Sequence, residues 1–207
     1  VNQEPRQTIP GPGGPIASVF QGVLLLGRGR AEGLNCFGAT MDALMSALAP
    51  YVALIGVGAF ALIARHGTAI EAVRLLLLLC VLLVRPVVSQ ILAQRWNRQG
   101  LWLRFATASL WASWLVQALI IIAFFLLHAM APDLAESRAV GTGIMLGLQA
   151  YDLWLAWFIA RVGLIVGPGR AAIVVLATVL AMVALYAIAA VLPPYYNAMG
   201  DLFSPPG

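Results

Sequence analysis

The sequence contains no lysine and little charge of any kind. Asp, Glu, Lys and Arg make up 10% of its 207 residues, against about a quarter in an ordinary soluble domain. So few charges cannot clothe a water-facing surface, which excludes a soluble enzyme or carrier. Cysteine is scarce as well. Cys36 and Cys80 are the two present, with no Cys-x-x-Cys or Cys/His spacing to suggest a metal site. Cys36 precedes the first long apolar run and Cys80 falls inside the second, so the depths differ and no disulfide is expected.

Catalytic signatures are missing too. There is no HExxH, no GxSxG, no Walker loop and no pair of carboxylates on one helix face, and the segments between apolar runs are too short to build a catalytic domain. The chain reads as a non-enzyme. All 12 basic residues are arginine, which agrees with GC-rich coding more simply than with phosphate recognition. No stripe of aromatic and basic residues suggests nucleic acid. The net charge of +4 points to anionic lipid headgroups instead.

What the chain has is hydrophobicity: 62% apolar residues and a mean hydropathy of +0.93. A bilayer crossing needs roughly 20 apolar residues, and five runs reach that length. They extend from Asp42 to Ala64, Ala69 to Ala93, Leu101 to Met130, Ala139 to Leu164 and Ala171 to Leu192, with Pro193-Pro194 closing the last. The fold class expected is all-α: a polytopic transmembrane bundle of five spans joined by short loops. Residues 1–41 form an N-terminal tail, 42–194 the bundle and 195–207 a C-terminal tail. Pro5, Pro10, Pro12 and Pro15 make the first fifteen residues irregular. No basic segment leads into an apolar core and cleavage site, so a secretory signal peptide is not expected. The stretch Ile16 to Arg30 is too short to span. It reads either as a helix in the interface, with Arg28 and Arg30 on headgroups, or as a segment packed on the bundle.

Arginine is distributed unevenly. Eight fall on the N-terminal side of the spans (Arg6, Arg28, Arg30, Arg95, Arg98, Arg104, Arg161, Arg170) and three on the other (Arg65, Arg74, Arg138). By the positive-inside rule the N-terminus is cytoplasmic and the C-terminus outside, in a multi-pass protein of the bacterial inner membrane. Trp96, Trp102, Tyr195 and Tyr196 suit the interfaces.

Two charges lie within apolar runs: Arg85 in the second and Asp152 in the fourth. Both helices run in the same direction, and each residue lies about 13 Å from the same end at 1.5 Å per residue. Ser89 lies one turn beyond Arg85, and Pro86 frees the Leu82 carbonyl as an acceptor. Ser109, Ser113 and Gln117, spaced four apart on one face of the third run, with Gln149 beside Asp152 in the fourth, complete an expected polar cluster. It reads as a buried network that sets helix register, or as a relay or an anchor for an anionic group. One acid partnered by a non-titrating arginine makes a poor proton pathway. Pairing carries its own test. Arg85→Ala or Asp152→Ala alone should lower thermal stability by about 3–5 kcal/mol, and the double variant should recover part of that loss. Single variants as stable as the parent would remove the pair. Transport lost with stability intact would favour a functional site.

Small residues mark packing faces: Gly143 and Gly147 in the fourth run, Ala177 and Ala181 in the fifth. His66 and His128 are candidate pigment or metal ligands, although a single interfacial histidine more simply ends a helix. Trp111, Trp114, Trp154 and Trp157 lie deeper than a belt and suit core filling, lipid or a partner. No cofactor is required by these residues. Bound lipid is expected and a pigment is conceivable.

The layout is similar to that of the YIP1-like membrane proteins, with an N-terminal cytoplasmic segment, five spans and an outside C-terminus. Tyr151-Asp152-Leu153-Trp154 followed by Arg161 and Gly163 resembles the fourth-span region of bacterial members. The Asp-Leu-Tyr-Gly-Pro type motif of eukaryotic members is absent, so no functional residue carries over. The sequence supports, as an expectation, an accessory or scaffold subunit of a larger membrane complex, photosynthetic or respiratory. The alternative is a small transporter or lipid-handling protein using the Arg85–Asp152 region.

Overall fold

The computed structural model describes residues 14–135 and 137–191. Among them the chain is all-α. Helices α1 (Gly14–Gly27), α2 (Met41–Ala64), α3 (Ala69–Arg95), α4 (Gln99–Met130), α5 (Pro132–Ala135), α6 (Arg138–Gly163) and α7 (Pro168–Val191) follow in order, with a 3₁₀ segment at Ala31–Cys36. Five of these, α2, α3, α4, α6 and α7, are long and apolar enough to cross a membrane. The chain is thus a multi-pass membrane protein. The C-terminal tail, with Pro193, Pro194, Tyr195 and Tyr196, lies outside the described residues, as do Arg6 and the prolines up to Pro12.

The helix limits have local causes. Thr68 caps α3: its hydroxyl accepts from the Glu71 N–H at 3.3 Å, and the Glu71 carboxylate accepts from the Thr68 N–H at 2.9 Å. That reciprocal box satisfies two donors the first turn would otherwise leave open. α7 starts at Pro168 rather than Ala171, because a proline at the first helical position gives up an N–H that has no intrahelical acceptor there. α4 starts at Gln99 and, at 32 residues, is about 48 Å long. That exceeds a hydrocarbon core of about 30 Å. Three turn residues, His66, Asn97 and Ile165, adopt positive φ.

The chain divides into two compact units, one of residues 14–47 and 98–175, the other of 48–97 and 176–191. In the second, Gly58 lets α2 and α3 come close, since a Cβ there would stand 3.0 Å from Leu75 Cδ1. Leu77, Ser89 and Ala93 are the buried positions of α3.

In the first unit the core surrounds the beginning of α4. Six consecutive residues, Phe105 to Leu110, are buried, followed by Ala112 and Val116. A helix buried all round lies inside a packed body, and here α1, the 3₁₀ segment and α6 all pack on it. Leu26, Phe37, Leu155, Ile159 and Leu164 fill the core. The stretch from Ile16 onward is therefore helical, and it is docked on the spans.

Cys36 is partly covered in this unit, and burial raises its thiol pKa. The neutral thiol is favoured in the folded state, so this contribution to stability holds below the ordinary thiol range and is lost as pH rises through the raised value. Alkylation of Cys36 at pH 8 should be slower than that of a free thiol, because the thiolate reacts. Mass-spectrometric labelling kinetics test this, and equal rates would contradict it.

Candidate functional site

The residues expected to form a polar cluster fall in both units. Arg85 and Ser89 belong to the second; Ser113, Gln117, Gln149 and Asp152 belong to the first. Arg85 and Asp152 are half-buried and each is engaged in an interaction. Ser89 is fully buried, and its hydroxyl donates to the Pro86 carbonyl at 3.0 Å. Ser109 donates to the Ala106 carbonyl at 2.9 Å and Ser113 to the Ser109 carbonyl at 3.0 Å. Serines in helices often bond back in this way.

Gln117 and Gln149 are exposed, and neither amide has a side-chain hydrogen bond among the described residues. Gly143 and Gly147 are exposed too, with nothing within 4 Å of a Cβ built on either. Ala177 and Ala181 are half-buried in the second unit. His66 is exposed in the α2–α3 turn. His128 is exposed, with Nδ1 3.0 Å from the Phe124 carbonyl oxygen. Among the described residues no three or more His, Cys, Asp or Glu side chains gather in a metal-holding group.

The most developed constellation is where α1 meets α4 and α6. Gly33 lies against α1 so closely that a Cβ there would be 2.6 Å from the Gly22 carbonyl oxygen. Gly22 is equally tight, with Cys36 Cβ and Phe37 Cε2 at 2.7 and 2.8 Å from its own hypothetical Cβ. These two glycines lock the 3₁₀ segment onto α1. At the end of α1 the Tyr151 hydroxyl donates to the Gly27 carbonyl at 2.8 Å. A Cβ on Gly27 would meet Leu115 of α4 and the Tyr151 hydroxyl. Gly29 turns the chain at φ +73°, with the Trp154 ring 3.3 Å from where its Cβ would be.

From there an aromatic ladder runs along α6. Tyr151 stacks on Trp154 and Trp154 on Phe158, each with centroids 5.7 Å apart. Trp157 Nε1 donates to the Pro168 carbonyl at 3.1 Å, and the Arg161 guanidinium lies 5.6 Å from the Trp157 ring centroid. One face thus receives α1 while Trp157 holds the turn into α7. The sequence singles out the tryptophans but none of these links. Closely spaced glycines at 22, 27, 29 and 33 were the available sign. Tyr151→Phe should cost about 1 kcal/mol, the net worth of an ordinary hydrogen bond, in thermal unfolding in detergent. An unchanged midpoint would mean that the bond does not fasten α1.

The packing also fixes a register between α4 and α6. Phe105 meets Gly163 at one level, and Leu115 and Tyr151 share Gly27 at another. Trp111 and Trp114 on α4, and Trp154 and Trp157 on α6, all lie between these levels. Arg98 and Arg104 lie toward the start of α4 from the tryptophans, and Arg161 and Arg170 toward the end of α6 and beyond it. No family model, curated protein or solved structure matches this chain.

Proposed function

We propose that this chain is a non-catalytic accessory or scaffold subunit of a larger membrane assembly, with a bioenergetic complex of the bacterial inner membrane as host and the N-terminus cytoplasmic. The observation that carries this reading is the open side of α6. A methyl group added at Gly143 or Gly147 would meet no neighbour within 4 Å, and the exposed amides of Gln149 and of Gln117 lie on spanning helices. Hydrocarbon offers an amide no hydrogen bond, whereas a neighbouring helix does. Small residues let such a helix approach closely. The Ser89, Ser109 and Ser113 hydroxyls each donate to a carbonyl of their own helix.

Gentle solubilisation, native separation and identification of the co-migrating chains test the proposal, with an absorption spectrum of the band to reveal any pigment. Stoichiometric co-migration with other membrane subunits is expected. A chain that runs alone and colourless would sink it.

A further inference from the structure

α1 carries two apolar faces. Gly22, Val23 and Leu26 are buried in the first unit. On an adjoining side Ile16, Phe20 and Leu24 are 74%, 65% and 50% exposed. They are spaced four apart, which aligns them in one row along a helix. Arg28, four further on, is exposed at the end of that row, and Arg30 is exposed beyond the Gly29 turn. At 14 residues α1 is too short to cross a bilayer, and its end is fastened to Tyr151 through Gly27 and lies beside Trp154 through Gly29.

We infer that α1 is an in-plane membrane anchor: its Ile16–Phe20–Leu24 row enters the acyl boundary of one leaflet, with Arg28 and Arg30 on lipid phosphates. The exposed Trp154 ring beside Gly29 lies at the same boundary, because indole settles where apolar and wet surroundings meet. The excess length of α4 is then accounted for. Its beginning, Gln99 to Leu110, lies beyond the hydrocarbon, inside the body made with α1 and α6. The occupant of the exposed row is lipid because the row ends in the Arg28 guanidinium, with that of Arg30 just beyond the turn. An apolar stripe closed by cations complements an acyl layer bounded by anionic headgroups. This inference does not depend on whether the chain has partner subunits.

The test uses the full chain, with Cys36→Ser and Cys80→Ser, reconstituted into phosphatidylcholine vesicles with or without phosphatidylglycerol. A polarity-sensitive fluorophore is attached at Phe20→Cys or, separately, at Leu24→Cys, with Glu32→Cys as the comparison position. Thermal unfolding of each labelled chain confirms that α1 is still docked. Both row positions should be quenched by lipids carrying a nitroxide high on the acyl chain. Iodide in the water should quench them severalfold less than Glu32→Cys. Adding Arg28→Gln and Arg30→Gln should abolish any blue shift caused by phosphatidylglycerol. Iodide quenching at Phe20 and Leu24 equal to that at Glu32 would overturn the inference. Shielding from both quenchers would overturn it as well, since protein rather than lipid would then cover the row.

Discussion

Gly33→Ala is expected to release α1 and the 3₁₀ segment from the body they form with α4 and α6. The added methyl would stand 2.6 Å from the Gly22 carbonyl oxygen, with Leu25 Cβ and Leu26 Cγ at 3.0 Å. A flexible side chain could yield to such a contact, but the nearest atom is backbone, so a whole helix must shift. Overpacking of a well-filled site costs about 1–3 kcal/mol, and displacement of backbone belongs at the upper end. Leu26 and Phe37, both almost wholly buried, lose their packing in the same event. The clearest readout is limited proteolysis. Arg28 and Arg30 flank a tight turn held against α6, and trypsin should cut there severalfold faster in Gly33→Ala than in the parent. Gly56→Ala is the control, because nothing lies within 4 Å of its hypothetical Cβ. It should leave the cleavage rate where it was and, because alanine is the better helix former by about 1 kcal/mol, leave the thermal midpoint no lower than the parent's. Equal cleavage of Gly33→Ala and the parent would mean that the Gly22–Gly33 approach does not hold the segment.

The spans were legible because a bilayer imposes its thickness on the sequence. An apolar run of the required length between short polar turns has few other interpretations, and the observed limits of α2, α3, α4, α6 and α7 differ from the expected ones by only a few residues. The differences are local chemistry. Pro168 opens α7 because proline suits a first turn, and Gln99 opens α4 because that helix does not stop where its apolar run does. The docking of α1 was not legible. Ile16 to Arg30 could be recognised as apolar and short, but Tyr151 and Gly27 are separated by 124 positions. No periodicity connects a hydroxyl on one helix to a carbonyl at the end of another. The serines show a different gap. Their spacing put Ser109, Ser113 and Gln117 on one face, while the structure makes that face graded, from buried Ser109 to exposed Gln117. Spacing alone does not tell how far a neighbour extends along a helix. Nor does it tell that the Ser89 hydroxyl bonds back to its own backbone.

The open side of α6 gives the second large effect. Gly143→Leu combined with Gly147→Leu should leave the isolated chain as stable as the parent or slightly more so. Neither site has a neighbour to displace, and leucine is a better helix former than glycine by roughly 0.5–1 kcal/mol. Co-migration with partner subunits should be lost, because two isobutyl groups hold an approaching helix away from the backbone on which small-residue packing depends. Gln149→Leu should act more mildly. An interhelical hydrogen bond in lipid contributes about 0.6 kcal/mol on average and up to about 1.7, so a partner on the Gln149 side should bind a few-fold more weakly while the glycine face on the other side stays unchanged. The two experiments together separate shape from polarity. Gln149 lies roughly 120–160° round the helix from Gly143 and Gly147, so loss in the glycine variant alone places a partner helix on the glycine face, whereas loss in both variants requires contacts on two sides of α6. Undiminished co-migration in both would assign both sides of α6 to lipid and remove the observation on which the subunit reading rests.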